Sequence, residues 1–332
     1  HDNPVWNDHV ALGKWADLFL IAPATSNTLS AMVHAKCKNL LIATYLSCTC
    51  PVYIAPAMDL DMYAHPANQK NLAELNRIGK KVLPVGEGFL ASGLYGKGRM
   101  LEPEEIISYI SEELKSGLPL YEKKVLITAG PTYEPIDPVR FIGNHSSGKM
   151  GFALAEEALQ LGAHVTLISG PTVLEASPDI DRHNVLTAEE MFAHALEHFA
   201  ETDIAIAAAA VADFKPRNVG DQKIKKENGI QSIELDKTPD VLAKMGELKN
   251  KQFLLGFALE TENEISNAIK KIKSKNLDAI VLNSLNEPGA GFSVDSNKVT
   301  YIDRNEIIIP FELKSKILVA KDIFSQILTQ NA

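Results

Sequence analysis

The chain has 332 residues, enough for two domains of about 100–200 residues each. With 45% hydrophobic and 23% charged residues it has an ordinary globular composition, and its net charge of −9 argues against nucleic acid as the main partner. No apolar run approaches the ~20 residues of a membrane span, and the start His1-Asp2-Asn3-Pro4 lacks the basic and apolar regions of a signal peptide.

Three cysteines (Cys37, Cys48 and Cys50) are a sparse, odd count that fits a reducing, cytoplasmic compartment. Cys48 and Cys50 have no second pair with which to build a metal site, so a structural role is expected. The start has no Met and runs straight into a helical pattern, which predicts an N-terminal truncation.

Two βα series follow in chain order. In the first, residues 9–16 read as a helix end, 18–21 as a buried strand, 39–46 as a helix, 52–55 as a strand and 68–77 as a helix. Residues 81–84 read as a short strand, 103–114 as a helix with Glu at its start, and Ser116-Gly117-Leu118-Pro119 as a linker. In the second series the expected strands are 125–129, 164–169, 204–209, 253–257 and 279–282. The expected helices are 148–161 (closed by Gly162), 188–200, 239–248 with Pro239 in its first turn, and 262–275. A hairpin over 299–302 and 307–310 and a last helix over 317–328 complete the chain. Strands alternating with helices predict an α/β protein with two Rossmann-like parallel-sheet domains, residues 1–118 and 119–332, whose ligands bind beyond the carboxyl ends of the strands.

The run Asn144-His145-Ser146-Ser147-Gly148-Lys149-Met150-Gly151 opens a helix after an apolar strand and a polar loop. Unpaired N–H groups at a helix start, reached past small residues, suit a phosphate. Gly143 to Lys149 fits G-x-x-x-x-G-K, but Met150 stands where a P-loop needs a Mg²⁺-binding hydroxyl, and the preceding loop is too long for a P-loop. Downstream, the small residues Ala207, Ala208 and Ala209 would let a flat base or a phosphate approach the backbone. Asp213 lies past that strand's carboxyl end, where a carboxylate can hold a metal ion or a ribose, or simply cap a turn. Lys223 opens Lys223-Ile224-Lys225-Lys226, whose alternation sets Lys223 and Lys225 on one side of an extended segment. Lys271 and Lys275 share one helix face. Each lysine suits a triphosphate, and each also reads as part of a solvated charge run.

Together these residues resemble phosphopantothenate–cysteine ligase over residues 122–332. The resemblance is carried by Ile127 to Arg140, Asn144 to Gly151, Ala209 to Asp213, Lys223 to Lys226, Pro239-Asp240, Gly256-Phe257 and Lys275 to Asp278. It implies that CTP activates the carboxylate of 4′-phosphopantothenate as an acyl-cytidylate with loss of pyrophosphate, and that the cysteine amine then displaces CMP. It also implies that Asn144 polarises the acyl carbonyl, with Arg140 its neighbour, Ser146 at a phosphate and Asp213 at Mg²⁺. Ala207, Ala208 and Ala209 would lie near cytosine, Lys223 at the triphosphate, and Pro239, Asp240, Val241, Leu242, Phe257, Lys271 and Lys275 at the remaining CTP contacts.

The first half has loops after its strands at Ala22 to Thr28, Pro56 to Met62 and Leu90 to Met100. Thr25, Ser26 and Asn27 offer hydroxyls and an amide to a phosphate or a ring edge, or else cap a helix. The order resembles phosphopantothenoylcysteine decarboxylase, an FMN enzyme, over residues 1–118, with His9 at the position of the family's catalytic His. Two positions depart from the family pattern: Asp59 stands for an Asn in the substrate motif, and Ser92 for the Cys that donates a proton from the flap. An alcohol is a far weaker proton donor than a thiol of pKa ~8.5.

The expected protein is thus a cytoplasmic bifunctional enzyme of coenzyme A synthesis. It would use small-molecule substrates, with FMN, Mg²⁺ and CTP, and no nucleic acid or membrane partner. The resemblance further implies dimers of the ligase domain and trimers of the flavoprotein domain. An alternative is a ligase whose flavoprotein half serves assembly only. A dinucleotide-dependent oxidoreductase is disfavoured, since no G-x-G-x-x-G follows a first strand.

Overall fold

The computed structural model describes residues 8–225, 232–260, 262–284 and 295–330. It divides into two compact units, His1–Lys115 and Ser116–Ala332. Among the described residues no helix is long and apolar enough to cross a membrane.

Unit 1 contains α1 (Asp8–Trp15), β1 (Phe19–Ala24), α2 (Ser26–Val33), α3 (Leu40–Ser47), β2 (Val52–Pro56), α4 (Leu60–Ala64), α5 (Pro66–Arg77) and β3 (Lys81–Val82). It ends with the hairpin β4 (Gly86–Phe89) and β5 (Tyr95–Arg99) and with α6 (Pro103–Ser116). Strands β1, β2 and β3 form a parallel sheet in that order. Every residue of β2 is buried, as expected for a strand covered on both faces. Its side chains alternate between two clusters: Ile54 packs with Ile21, Leu29, Ile42 and Leu75, while Tyr53 and Ala55 pack with Leu83, Ile106 and Ile110.

Unit 2 has the order β6 (Lys124–Ala129), β7 (Tyr133–Pro135), β8 (Phe141–Gly143), α7 (Lys149–Gln160), β9 (His164–Ser169), β10 (Asp181–Asn184), α8 (Ala188–Phe199), β11 (Ile204–Ala207), β12 (Phe214–Pro216) and β13 (Leu235–Lys237). It continues with α9 (Val241–Leu248), β14 (Phe253–Glu260), α10 (Glu264–Ser274), β15 (Ala279–Ser284), β16 (Ser296–Asn297), β17 (Val299–Asp303), β18 (Ile308–Pro310), β19 (Lys314–Ser315) and α11 (Lys316–Gln330). Its eight-stranded sheet has the order β10-β9-β6-β11-β14-β15-β17-β18, and its pairings are parallel except the last two, where β17 runs antiparallel to both β15 and β18. Val125, Ile127 and Ala129 face a core built with α7 and α11. Leu126 faces the opposite core with α8, α9 and α10. The chain leaves β6 toward β9 on one side and returns to β11 on the other, so the crevice between β6 and β11 is the topological switch point where ligands bind in such sheets.

Several boundaries differ from the expectations. Pro239 lies outside α9, because the Asp240 side chain accepts from Ala243 N–H at 2.9 Å and is itself the N-cap. Strand β11 ends at Ala207, so Ala208 and Ala209 belong to the loop. Directly after the stretch read as a linker, Leu120 is buried and its N–H is bonded to Leu161 O. The short ribbons β4–β5, β7–β8 and β12–β13 stand in segments that carry no strand pattern in the sequence.

Candidate active sites

In unit 2 the loops after β6 and β11 are stitched together at the switch point. Ala208 N–H donates to Thr128 O at 3.1 Å, Ala210 N–H to Gly130 O at 2.9 Å, and Ala212 N–H to the buried Thr132 hydroxyl at 3.0 Å. Asn144 Nδ2 donates to Ala210 O at 2.8 Å, which ties the end of the β7–β8 hairpin to the same loop.

Gly148 caps α7 at φ +80°, a left-handed conformation that favours glycine, and its carbonyl accepts the first helical bond from Phe152 N–H. A Cβ at Gly151 would lie 2.5 Å from Ala129 Cβ, so glycine there allows the first turn of α7 to sit against the end of β6. The result is a helix N-terminus opening on the crevice, a site suited to an anion.

Two cavities lie there. One, of about 320 Å³, is lined by Asn144, Ser146, Gly148, Ala208, Ala209, Asp213, Phe257 and Lys316 among others. The second, of about 550 Å³, is lined by Ala207, Ala209, Asp213, Pro239, Asp240, Val241, Leu242, Phe257 and Lys275. Ala209, Val211, Asp213 and Phe257 belong to both. Asn283, at the end of β15, lines the first cavity and has a buried Oδ1 with no hydrogen-bond partner, an acceptor available to a ligand donor.

In the second cavity Lys275 Nζ lies 2.6 Å from Asp240 Oδ2. Burial pushes the Asp240 carboxyl up, but the Lys275 ammonium and the N–H groups of Ala243 and Leu242 outweigh it and hold it below its ordinary value. Asp213 is exposed, and a single carboxylate beside a helix N-terminus suited to an anion could hold Mg²⁺, which keeps several waters and takes other ligands from phosphates.

Three residues expected in this site stand elsewhere. Lys271 lines neither cavity, because its Nζ lies 2.6 Å from Glu260 Oε1. Arg140 also lines neither: its guanidinium is bonded to Asp137 and donates to Ile224 O at 2.8 Å. Asp137, only 2% exposed, also accepts from the N–H groups of Val139, Arg140 and Ile224. Burial would raise its pKa, but these bonds dominate and hold it well below the usual carboxylate range. Lys223 is exposed at the start of the strip that this pair clamps, and Lys226 lies outside the described residues.

Two further lysines line the first cavity: Lys316, which no motif of the sequence marks, and Lys149, which the sequence shows only as the last residue of the glycine-rich match. Lys316 is 7% exposed, and burial followed by the nearby Lys149 charge pushes its pKa down while Asp295 pulls it up. Lys149 Nζ lies 2.6 Å from Asp295 Oδ1. Placing the last helix at 317 left Lys316 one residue outside it, so nothing in the pattern set it apart from a surface lysine.

In unit 1, Asp59 and Ser92 come together: Ser92 Oγ donates to Asp59 Oδ1 at 2.8 Å, and the same oxygen accepts Leu60 N–H at the start of α4. A cavity of about 310 Å³ beside them is lined by Met58, Asp59, Phe89, Ala91, Gly98 and Met100, among others. Thr25 caps α2, Ser26 Oγ donates to Asn68 Oδ1 at 2.7 Å, and Asn27 is exposed. These hydroxyls and the amide, at a helix start beyond β1, fit the phosphate or the polar ring edge of FMN. His9 is on α1, outside the residues lining the Asp59 cavity.

Residues 120–330 match the family described as DNA/pantothenate metabolism flavoprotein C-terminal domain, and residues 5–115 match the flavoprotein family. A cysteine/cysteine sulfinic acid decarboxylase from an unknown prokaryotic organism is 54% identical over 98% of this chain and 92% of its own length. The coenzyme A biosynthesis bifunctional protein CoaBC of Bacillus subtilis is 43% identical over 98% of this chain and 81% of its own. A crystal structure of the C-terminal domain of a CoaBC protein superposes with a TM-score of 0.56 at 41% identity, covering 64% of this chain and 98% of that one. The chain therefore belongs to the pantothenate-metabolism flavoproteins of the CoaBC type.

Proposed function

We propose that unit 2 is a CTP-dependent ligase of coenzyme A biosynthesis that joins cysteine to 4′-phosphopantothenate. The observation that carries this is the meeting of two cavities at Asp213, in the switch-point crevice between β6 and β11. Cytosine and ribose would occupy the cavity lined by Pro239 to Leu242 and Lys275, and the acyl group the cavity lined by Asn144. In the first step the carboxylate of phosphopantothenate attacks the α-phosphorus of CTP and pyrophosphate leaves. In the second, the cysteine amine attacks the acyl carbon, CMP leaves, and the nitrogen loses a proton.

Asn144 donates to the acyl carbonyl as it takes on charge. The α7 N-terminus, Ser146 and Lys316 face the phosphates, and Asp213 would hold Mg²⁺, which supplies charge neutralisation on the leaving pyrophosphate. Arg140 acts as a positioning residue: with Asp137 it fixes the strip that carries Lys223. The reading is tested by measuring pyrophosphate release, which should require both CTP and phosphopantothenate.

For unit 1 two substrates compete. The family's own would be 4′-phosphopantothenoylcysteine, decarboxylated with FMN, which when bound supplies the redox chemistry that activates the substrate. A second reading is favoured by the Ser92–Asp59 pair and by the 54% identical relative: decarboxylation of cysteine or cysteine sulfinic acid. These free amino acids carry an α-ammonium that the amide of phosphopantothenoylcysteine lacks, and a carboxylate at Asp59 complements that charge where an Asn would not. CO₂ release from the three substrates, compared between the parent and Asp59→Asn, separates the readings. A smaller substrate predicts cysteine or its sulfinate as the better substrate and loss of that preference in the variant. Selective turnover of phosphopantothenoylcysteine by the parent would remove the second reading.

A further inference from the structure

Between the edge strand β10 and α8 lies a cluster that the ligase chemistry does not use. His194 and His198 are four residues apart on α8 and so share one helix face. His183 lies on the four-residue edge strand β10, two residues after Asp181 and on the same side of it. The His183 ring centroid is 5.5 Å from that of His194 and 4.8 Å from that of His198. One nitrogen from each ring falls within 4.8 Å of the others, and among the described residues this is the one group of three such side chains close enough to share a metal ion.

A second observation points to a ligand. His194 Nδ1 and His198 Nε2 are buried and have no hydrogen-bond partner. Glu197 Oε2 is 3.6 Å from His194 Nδ1, beyond hydrogen-bond reach. Buried ring nitrogens are rarely left without a partner, and an ion is one explanation for them. Asp181 Oδ2 lies 3.1 Å from His183 Nε2, the carboxylate–histidine contact that orients metal-binding imidazoles. His198 also lines a cavity of about 440 Å³ together with Asp179, Asp181, Glu197 and Glu201, so the surroundings are acidic and room remains for a further ligand.

We propose that His183, His194 and His198 bind a divalent transition-metal ion of the zinc class, completed by an acidic side chain or water. Three imidazoles suit zinc, and tetrahedral Zn–N bonds of about 2.0–2.1 Å would draw the nitrogens to about 3.3 Å from one another, a small rotamer adjustment from their present separation. The ion would pin the edge strand β10 to α8. None of its ligands lines either cavity at Asp213, so its effect is on the stability of unit 2 and not on the ligase chemistry.

The test uses the full chain without a histidine tag, stripped with EDTA and desalted. On adding Zn²⁺ the parent should retain one equivalent after gel filtration. Its melting temperature should rise by about 5 °C or more when free Zn²⁺ exceeds Kd about 100-fold. Co²⁺ should give d–d bands without the thiolate charge-transfer absorption expected of Cys48 and Cys50. His194→Gln/His198→Gln, and separately His183→Gln, should lose the Co²⁺ spectrum and the thermal shift while retaining the parent circular dichroism and pyrophosphate release. A parent that retains no zinc, or variants that bind Zn²⁺ and Co²⁺ as the parent does, would overturn the proposal.

Discussion

Replacing Asn144 by Asp keeps the size of the side chain and removes both of its amide N–H donors. In the resting structure Nδ2 is 2.8 Å from Ala210 O, so one N–H holds the loop after β11 and the other is left for a ligand. In Asn144→Asp a carboxylate oxygen faces that carbonyl, and the donor for the charged acyl oxygen is gone. Loss of one such donor costs about 2.7–4 kcal/mol, or about 10²–10³ in kcat. In the proposed mechanism the loss would fall on the second step alone, because cytidylate formation would occur at the α-phosphorus of CTP, beside α7 and Lys316. The variant should therefore release about one equivalent of pyrophosphate per site and hold the acyl-cytidylate, visible by mass spectrometry after an acid quench. Cysteine should then fail to discharge it at the parent rate. Normal turnover with cysteine, or no pyrophosphate burst, would refute the role given to Asn144.

Further outcomes follow at three residues. Lys316→Met should raise KM for CTP by about 10–150-fold, the worth of one charge-assisted phosphate contact. Because its surroundings push the pKa of Lys316 down, CTP affinity should fall with rising pH before the ordinary lysine range of about 10.4 is reached, and Lys316→Arg should remove that limb of the pH profile. Gly151→Ala places a Cβ 2.5 Å from that of Ala129. Overpacking of about 1–3 kcal/mol, less about 1 kcal/mol gained in helix propensity, should lower the melting temperature of unit 2 by up to about 8 °C in calorimetry. Asp137 has a depressed folded-state pKa, so its stabilisation is complete above the ordinary carboxylate value of about 3.9 and is lost as pH falls toward the folded value. Asp137→Asn should flatten that acid limb in pH-dependent melts, and an unchanged limb would contradict the clamp.

The long periodic elements were legible because their burial is set locally. The strand over 125–129 alternates between two cores and the helix over 148–161 carries one apolar stripe, and both stand within a residue or two of the expected bounds. The ribbons β7–β8 and β12–β13 were not, since three-residue strands hold too few side chains to show a period. The family resemblance grouped Asn144, Asp213 and Phe257, which line one cavity although Asn144 follows β8, Asp213 follows β11 and Phe257 lies within β14. It could not show that Arg140 spends its guanidinium on Asp137, or that Lys316 returns from the far end of the chain to the same cavity. Both depend on long-range packing. The two departures Asp59 and Ser92 were visible as single letters, but their mutual hydrogen bond appears only when the β4–β5 hairpin is folded beside α4.

The most direct measurement is pyrophosphate release by the full chain with Mg²⁺, 4′-phosphopantothenate and cysteine, comparing CTP with ATP and omitting each component in turn. The account predicts release only when CTP and phosphopantothenate are both present, with ATP a poor substitute. Equal use of ATP, or release that does not depend on phosphopantothenate, would contradict it.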